Sequence, residues 1–385
     1  MPTPTRTTTT TTTTTFRVLP EGLARKRIIV EFFVPTTGSG RAPVLMMIDT
    51  GFTNNVLTSE LARHLEGVGV LRETNNVSQV AGAQVVSFRQ YTWLCDGIAM
   101  DAIIDESGDV VPQTVDQLGG ILGVAFLKNY YTRMVMAGSG SQSQSHVTCK
   151  LIPSSSSSSS NPVSSLLSRF IAAPVVPLVA VSSPTAATAA TAATAMSIST
   201  TSYDWSYHMF LFQRFPVVLF LQTRPRDDYY MAISQRPSQT VECFRGHMTL
   251  AFDSGSQMTV LAQDFVHRHG IDRFGAPREA ITVGGSLVRG FYVEVKFPSL
   301  NAATTTTTAF ACVDGAKPGS PLNNGRFSAF IGMDAILDND DGDDDDRAAP
   351  SNTRIDIAFY PTPLLTISFM RRWRRRTPST QPRRW

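Results

Sequence analysis

Cysteine, net charge and long apolar runs are all scarce in this chain. Its 385 residues include four cysteines, and none of them forms a Cys-x-x-Cys pair. This excludes a disulfide framework and argues against a cysteine zinc site. The formal net charge is +3, too small to indicate nucleic-acid binding through bulk charge, so no nucleic-acid partner is expected. No run reaches the roughly 18 apolar residues of a membrane span, so no transmembrane segment is predicted.

The chain does contain low-complexity sequence, and this sequence divides it. The threonine-rich start, a serine run at 154–160 and Ala-Ala-Thr repeats at 186–195 bury too little apolar surface to offset the entropy of ordering them. The sequence therefore predicts a disordered tail at 1–15, a first lobe at 16–152, a linker at 153–202, a second lobe at 203–370 and a basic tail at 371–385.

Both predicted lobes consist mainly of short strand signals. Runs such as RIIVEFFV at 27–34 and FPVVLFLQ at 215–222 are β-branched or aromatic and are bounded by proline, glycine or polar residues. The helical signals, at 59–65 and 263–269, are short. The pattern predicts a mainly β fold with a few helices rather than an alternating α/β fold.

The two lobes carry a repeated sequence element. Residues 49–60 align without gaps with residues 253–264, and the Asp, Gly, Val and Leu positions are identical. An apolar pair followed by glycine comes later in each half, as Ile121-Leu122-Gly123 and as Phe330-Ile331-Gly332. Ordered matches at similar spacing indicate that the halves are duplicates of one unit.

The repeated element ends an apolar strand with Asp-Thr-Gly or Asp-Ser-Gly. Glycine allows a tight turn at the end of a packed core, and the hydroxyl can fix that turn by hydrogen bonding to backbone. One such loop is typical of an ordinary turn. Two loops on duplicated halves predict that pseudo-twofold packing brings Asp49 and Asp253 face to face. Two carboxyl groups so close share a proton, and such a pair can activate a water molecule.

Each half resembles a retropepsin-like aspartic protease domain, and the tandem arrangement resembles the two-lobed, pepsin-type layout. The resemblance is carried by the Asp-Thr/Ser-Gly loops and the apolar-apolar-Gly motifs, and it covers residues 27–133 and 215–368. It implies two six- to seven-stranded acid-protease β-barrel lobes related by pseudo-twofold symmetry, with a few short helices. It also implies a cleft between the lobes that holds an extended peptide.

The same resemblance implies roles for individual residues. Asp49 and Asp253 would be catalytic. The residues expected to support their loops are Thr50, Gly51, Thr53, Ser254, Gly255 and Ser256. The motifs expected to brace the loops comprise Ile121, Leu122, Gly123, Phe330, Ile331 and Gly332. The glycines of the candidate flap turns, which would close over the cleft, are Gly82, Gly284 and Gly285. Phe52 stands where the family has a small residue, so its ring is expected either to narrow the cleft or to point into the core.

The main functional hypothesis is an aspartic endopeptidase that hydrolyses peptide bonds with a water activated between two aspartates. It would need no metal and no organic cofactor, and its partner would be an extended peptide or protein substrate. An alternative keeps the fold as a non-catalytic peptide-binding or scaffold module. A third hypothesis pairs each half with its counterpart in another chain. The loops are complementary rather than identical, which favours an internal pseudo-dimer over a homodimer.

The two termini support weaker expectations. The tail at 371–385 combines arginines with two tryptophans, which suits an anionic surface, although a solubilising disordered tail fits the composition as well. The Arg-containing, Thr-rich start lacks the apolar stretch of a secretory signal and is compatible with an organelle transit peptide. Together with the few cysteines, this favours an intracellular or organellar site over secretion.

Overall fold

The computed structural model describes residues 13–81, 85–108, 110–112, 117–137, 144–152, 195–223, 239–273, 278–281, 287–300, 306–337 and 352–370. The fold is mainly β, with two lobes and a few short helices, as the sequence predicts. Residues 153–194 of the predicted linker, residues 1–12 of the predicted first tail and the whole basic tail at 371–385 lie outside the described residues.

Each lobe is built on one large sheet. The first lobe has a seven-stranded sheet of β2 (Ile29–Pro35), β3 (Arg41–Ile48), β4 (Asn55–Thr58), β5 (Leu71–Ala81), β6 (Val85–Cys95), β7 (Ile98–Asp105) and β8 (Leu118–Leu122). The second has an eight-stranded sheet of β12 (Ser202–Asp204), β13 (Met209–Thr223), β14 (Gln239–Phe252), β15 (Val260–Leu261), β16 (Arg278–Ile281), β17 (Leu287–Lys296), β18 (Thr307–Asp314) and β19 (Ala329–Ile331).

The two sheets have the same topology, which is direct structural evidence of duplication. The first runs β2-β3-β8-β4-β7-β6-β5, and the second runs β13-β14-β19-β15-β18-β17-β16 with β12 added at one edge. In both sheets the third strand is parallel to the second and antiparallel to the fourth. An additional pairing of β13 with β17 rolls the second sheet further towards a closed barrel.

A third sheet joins the lobes. It runs β1-β10-β9-β20-β21-β11, with β1 (Thr13–Arg17), β9 (Tyr130–Met136) and β10 (His146–Leu151) from the first half and β11 (Ala195–Ser199), β20 (Asn352–Ala358) and β21 (Leu364–Met370) from the second. The central β9–β20 pair crosses between the halves. This sheet corrects two predicted boundaries: residues 13–15, assigned to the tail, form part of β1, and residues 195–199, assigned to the linker, form β11. Both segments gain order because they pair at the edges of the shared sheet.

The helices are short and lie against the sheets. Within the described ranges they are α1 (Pro20–Ala24), α2 (Ser59–Gly67), α3 (Val124–Leu127), α4 (Gln263–Arg268) and α5 (Asp334–Leu337), with a 3₁₀ turn at Ile271–Arg273. Helix α2 begins where the Thr58 hydroxyl accepts a hydrogen bond from the Leu61 N–H at 3.3 Å, which satisfies one of its free amides. Among the described residues, no helix has the length and apolar character needed to cross a membrane.

One continuous hydrophobic core connects the two lobes with the shared sheet. It includes Phe32, Trp93 and Phe126 of the first half together with Phe252 and Phe297 of the second. Two smaller clusters lie on the other faces of the lobe sheets, one around Phe52 and one around Phe330. The apolar strands are therefore covered on both faces, and their ends, where the Asp-Thr/Ser-Gly loops begin, are held rigidly.

Candidate active site

The two predicted catalytic aspartates occupy equivalent positions at the ends of parallel strand pairs. Strand β3 runs parallel to β8 with Ile48 beside Leu122, and the Asp49 N–H donates to the Leu122 carbonyl at 3.0 Å. In the second lobe β14 runs parallel to β19, and the Asp253 N–H donates to the Ile331 carbonyl at 3.1 Å. Each apolar-apolar-Gly motif therefore fixes the backbone of its own aspartate.

The hydroxyl residues of the two loops interlock across the lobe interface. The Thr50 N–H donates to Ser254 Oγ and the Ser254 N–H donates to Thr50 Oγ1, both at 3.0 Å. The same hydroxyls donate to backbone on the opposite side: Ser254 Oγ to the Ile48 carbonyl at 3.1 Å and Thr50 Oγ1 to the Phe252 carbonyl at 3.4 Å. All four bonds are buried, so they fix the separation of the two loops.

This interlock brings the Asp49 and Asp253 carboxyl groups into mutual hydrogen bonding. Asp49 Oδ1 accepts from the Gly51 N–H at 2.7 Å, and Asp253 Oδ1 accepts from Gly255 N–H at 2.9 Å and Ser256 N–H at 3.2 Å. Burial and the neighbouring Asp253 carboxylate raise the pKa of Asp49 well above its ordinary value of 3.8, and burial raises the pKa of Asp253. Since the pKa of each carboxyl group is raised, the pair retains a shared proton.

Glycine is required where the two loops approach each other. A β-carbon at Gly51 would lie 2.7 Å from Asp253 Oδ1, and one at Gly255 would collide with the Asp49 carboxylate. The bracing glycines are equally constrained, because a β-carbon at Gly332 would lie 2.6 Å from the Met258 carbonyl oxygen and one at Gly123 would collide with the Asn54 carbonyl.

The helices after the bracing motifs hold the outer part of each loop. At the start of α3, the Val124 and Ala125 N–H groups donate to the carbonyls of Phe52 and Thr53 at 2.8 and 2.9 Å. In the second lobe the Met333 N–H donates to the Ser256 carbonyl at 2.9 Å. Thr53 and Ser256 therefore support the loops through their carbonyl groups.

Two further supporting residues were missed by the sequence reasoning. Asn55 Oδ1 accepts from the Gly123 N–H at 3.1 Å, and Thr259 Oγ1 accepts from the Gly332 N–H at 3.3 Å. Both are fully buried and lie at aligned positions of the repeat, 55 and 259. A polar residue at the same place in both copies, next to apolar strand residues, was the available signal. Thr259 is itself held by Asp334, which accepts from its N–H at 3.0 Å and its hydroxyl at 2.9 Å.

The ring of Phe52 points into the core. It is buried with Ile29, Val56, Ile103 and Ile121, so the second of the two orientations allowed by the sequence is the observed one. The candidate flap glycines Gly82, Gly284 and Gly285 lie outside the described residues.

No protein-family model matches the chain, and no curated protein matches it. Solved structures similar to it include the basic 7S globulin from soybean, with a TM-score of 0.39, 8% identity and 94% of each chain covered. Conglutin gamma, a basic 7S globulin from lupine seeds, has a TM-score of 0.37, 9% identity, and coverage of 94% of this chain and 95% of that one. The structure of edgp has a TM-score of 0.33, 10% identity, and coverage of 93% and 94%. Scores and identities this low assign no function to the chain.

Proposed function

We propose that this protein is an aspartic endopeptidase whose catalytic groups are Asp49 and Asp253. The observation that supports the proposal most strongly is the hydrogen-bonded carboxyl pair, formed by equivalent loops that interlock through Thr50 and Ser254. Two buried carboxyl groups that share a proton provide a general base and a general acid in one place.

In the proposed reaction, Asp253 is the base and Asp49 the acid. Asp253 takes a proton from water as the water oxygen bonds to the carbonyl carbon of the peptide, and Asp49 gives its proton to the carbonyl oxygen. The tetrahedral intermediate then collapses: one hydroxyl proton returns to Asp49, the proton on Asp253 passes to the leaving nitrogen, and the C–N bond breaks. The Gly51 and Gly255 N–H groups, at 2.7 and 2.9 Å from the carboxylates, hold both side chains in position.

The test is cleavage of a denatured protein between about pH 3 and pH 7, with and without a statine-type transition-state analogue. We expect acid-dependent, analogue-sensitive cleavage by the full chain and none by Asp49→Asn or Asp253→Asn. Unimpaired cleavage by either variant would overturn the proposal.

A second candidate is a non-catalytic peptide-binding module on the same fold. It is favoured by the residues that follow the two loop glycines, because neither of them donates a hydroxyl hydrogen bond to a carboxyl group of the pair. Phe52 has no hydroxyl, and Ser256 Oγ donates to the Met258 carbonyl at 2.6 Å rather than to a carboxylate. Neither catalytic carboxyl group therefore receives a hydroxyl donor from this position. Binding of the analogue by a folded chain, without turnover of any substrate across the same pH range, would support this candidate over the first.

A further inference from the structure

One peptide group in each lobe holds the backbone of the aspartate. In the second lobe this group joins Ile331 to Gly332. Its carbonyl accepts from the Asp253 N–H at 3.1 Å, and its N–H donates to Thr259 Oγ1 at 3.3 Å. The Thr259 hydroxyl donates in turn to Asp334 Oδ1 at 2.9 Å. Because a peptide group is planar and rigid, the position of Asp253 depends on Thr259 and, through it, on Asp334.

We call this series of hydrogen bonds the Asp334 network. All its bonds run in the same direction, from the Asp253 N–H towards Asp334. Each group that accepts one hydrogen bond donates the next, an arrangement in which every bond polarises and strengthens its neighbours. The Thr259 hydroxyl has one proton, so its donation to Asp334 leaves a lone pair of the oxygen for the Gly332 N–H.

The carboxyl group of Asp334 is buried among donors. Oδ1 also accepts from the Ala335 N–H at 2.7 Å, and Oδ2 accepts from the Thr259 N–H at 3.0 Å. Burial raises the pKa of Asp334 above its ordinary value of 3.8, and these donors and the charge of Lys26 from the first lobe oppose the rise. Since the donors and Lys26 all favour the ionised form, Asp334 fixes the direction in which the Thr259 hydroxyl points.

A second connection reaches the carboxyl group of Asp253. Met333, which precedes Asp334, donates from its N–H to the Ser256 carbonyl at 2.9 Å. The Ser256 N–H donates to Asp253 Oδ1 at 3.2 Å. The bond from the Ala335 N–H to Asp334 fixes the start of α5 next to Met333, so Asp334 supports both the backbone and the side chain of Asp253.

The first lobe ends the equivalent network on a neutral group. The peptide group between Leu122 and Gly123 accepts from the Asp49 N–H at 3.0 Å and donates to Asn55 Oδ1 at 3.1 Å. Asn55 Nδ2 then donates to the backbone carbonyl of Asp101 at 3.0 Å. The same peptide geometry is therefore held in this lobe by a side-chain amide.

A charged group supports the bracing glycine in only one of these two networks. The residue two positions after the bracing glycine is Asp334 in the second lobe and Ala125 in the first. Hydrogen bonds to an ionised acceptor are roughly twice as strong as bonds between neutral groups. The two aspartates therefore have matching loops but unequal support.

We propose that Asp334 is a positioning residue for Asp253, whose backbone it holds through Thr259 and the bracing glycine more firmly than Asn55 holds Asp49. This inference rests on the proposed function, in which Asp253 is the base. A base that moves away from the attacking water slows the reaction without weakening the binding of the peptide, so the effect of Asp334 falls on kcat.

The test measures kcat per active site in the full chain, with the statine-type analogue as a titrant that counts intact sites. Asp334→Asn keeps the shape of the side chain, but its amide nitrogen cannot accept, so at least one of the three donors loses its partner. We expect kcat to fall about tenfold and KM to change by less than about twofold.

Variants of Thr259 repeat the test while the carboxyl group stays in place. Thr259→Val is nearly isosteric and breaks the network, so it should lose about as much kcat as Asp334→Asn, whereas Thr259→Ser keeps the hydroxyl and should stay within about twofold of the wild type. The double variant Thr259→Asn/Asp334→Ala copies Asn55 and Ala125 of the first lobe. It should regain most of the lost kcat, a rescue that a merely destabilised protein would not show.

Asp356→Asn is the matched control for loss of a carboxylate. Asp356 accepts three hydrogen bonds in the shared sheet, from the Tyr131 hydroxyl and from the Nε atoms of Arg133 and Arg354. Its replacement should lower stability and leave kcat per titrated site within about twofold of the wild type.

Amide hydrogen exchange separates this inference from the catalytic proposal, because it needs no turnover. Asp334→Asn should speed exchange of the Asp253 and Gly332 N–H groups about tenfold and leave the Asp49 and Gly123 N–H groups unchanged. That result with a wild-type chain that cleaves nothing would support the network and contradict the endopeptidase. Cleavage by Asp334→Asn at the wild-type kcat, or exchange that rises equally in both loops, would overturn the positioning role and leave the endopeptidase intact.

Discussion

The two halves of this protein share a backbone plan but fill it with different side chains. In the first lobe Met47 lies beside Ile121 in the parallel pair that precedes the Asp-Thr-Gly loop, and in the second lobe the equivalent pair is Ala251 and Phe330. The first lobe fills this space with two side chains of similar size, and the second lobe fills it with a small one and a large one. Close packing requires that the space be filled but allows either strand to fill it.

The packing of Phe52 shows the same difference between the lobes. Its ring fills the cluster beside Ile121, whereas the equivalent Ser256 contributes nothing to the cluster beside Phe330, which is filled by Phe327 at 5.6 Å between ring centroids. The interlocked hydroxyls, the loop glycines and the aspartates, by contrast, match in both lobes. Backbone geometry around the carboxyl pair is therefore under tighter physical constraint than the core behind it.

The strongest test of the comparison is to remove one carboxylate from each lobe in turn. Asp49→Asn and Asp253→Asn should each reduce kcat by about 10³-fold or more, because each removes one partner of the acid–base pair. Peptide cleavage measures the effect, and a cooperative melting transition checks that each variant folds, since asparagine keeps the shape of the side chain. A large loss in only one lobe would contradict equivalent roles.

Truncating the side chain that follows the loop glycine should cost much more stability in the first lobe than in the second. Phe52→Ala should lower the free energy of unfolding by about 3–5 kcal/mol, because it leaves a cavity among Val56, Ile103 and Ile121. Ser256→Ala, at the equivalent position, should cost only about 1 kcal/mol, since it removes one hydrogen bond to the Met258 carbonyl. Urea denaturation of the two variants makes the measurement. Equal costs would show that the two loops rest on the core in the same way.

Breaking the interlock should cost about the same stability from either lobe, although truncating the core does not. Thr50→Val and Ser254→Ala each leave a buried N–H without its 3.0 Å acceptor, so each should cost about 1–3 kcal/mol. Because the bonds form one reciprocal unit, the double variant should cost less than the sum of the single variants. Additive costs in a double-mutant cycle would mean that the two loops are held independently.

The pH dependence follows from the raised pKa of Asp49. The folded chain binds this proton more tightly than the unfolded chain, so its stabilisation is complete below the ordinary pKa of 3.8 and is lost as pH rises through the raised pKa. As pH rises from 3.8 to the raised pKa of Asp49, the stability of the wild-type protein should therefore fall relative to that of Asp49→Asn. Above the raised pKa, the rate of peptide cleavage should fall about tenfold per pH unit. Parallel stability curves for the two proteins would contradict a retained proton.

The smallest expected effect concerns the shared sheet. Asp356 Oδ1 accepts from Arg133 Nε of the first half at 2.8 Å, and its Oδ2 accepts from Arg354 Nε of its own strand at 2.5 Å. Both pairs are partly exposed, so Arg133→Gln and Arg354→Gln should each cost about 1 kcal/mol or less. Arg133→Gln should cost more, because Arg133 crosses between the halves and also lies 5.8 Å from the Tyr131 ring centroid. Thermal melting with Lys150→Gln as a control makes the comparison.

Much of the site could be predicted because its parts are local in sequence. The Asp-Thr-Gly and Asp-Ser-Gly loops need glycine, a small hydroxyl and a preceding apolar strand, and all of these are adjacent residues. The apolar-apolar-Gly motifs are likewise short. Duplication then supplied the one long-range inference, the meeting of Asp49 and Asp253, since two copies of a unit that buries one face pack about a twofold axis.

The features that were missed depend on contacts between distant residues. Asn55 and Thr259 bond to glycines 68 and 73 residues away, and β1 and β11 are ordered by pairing at the edges of a sheet whose strands come from both ends of the chain. A threonine run lacks the alternation of apolar and polar residues that marks a half-buried strand, and alanine is depleted in strands, so the partner strand decides the state of both segments.

The sequence by itself determined the groups of the candidate site, namely two carboxyl groups, two hydroxyls and the glycines that let them meet, because turn formation depends on neighbouring residues. Only the tertiary structure decided that Phe52 packs inward, that one sheet joins the halves and that Asn55 and Thr259 support the bracing glycines. The physical reason is that strand register and core volume are settled by all packing partners together, and those partners are scattered along the chain.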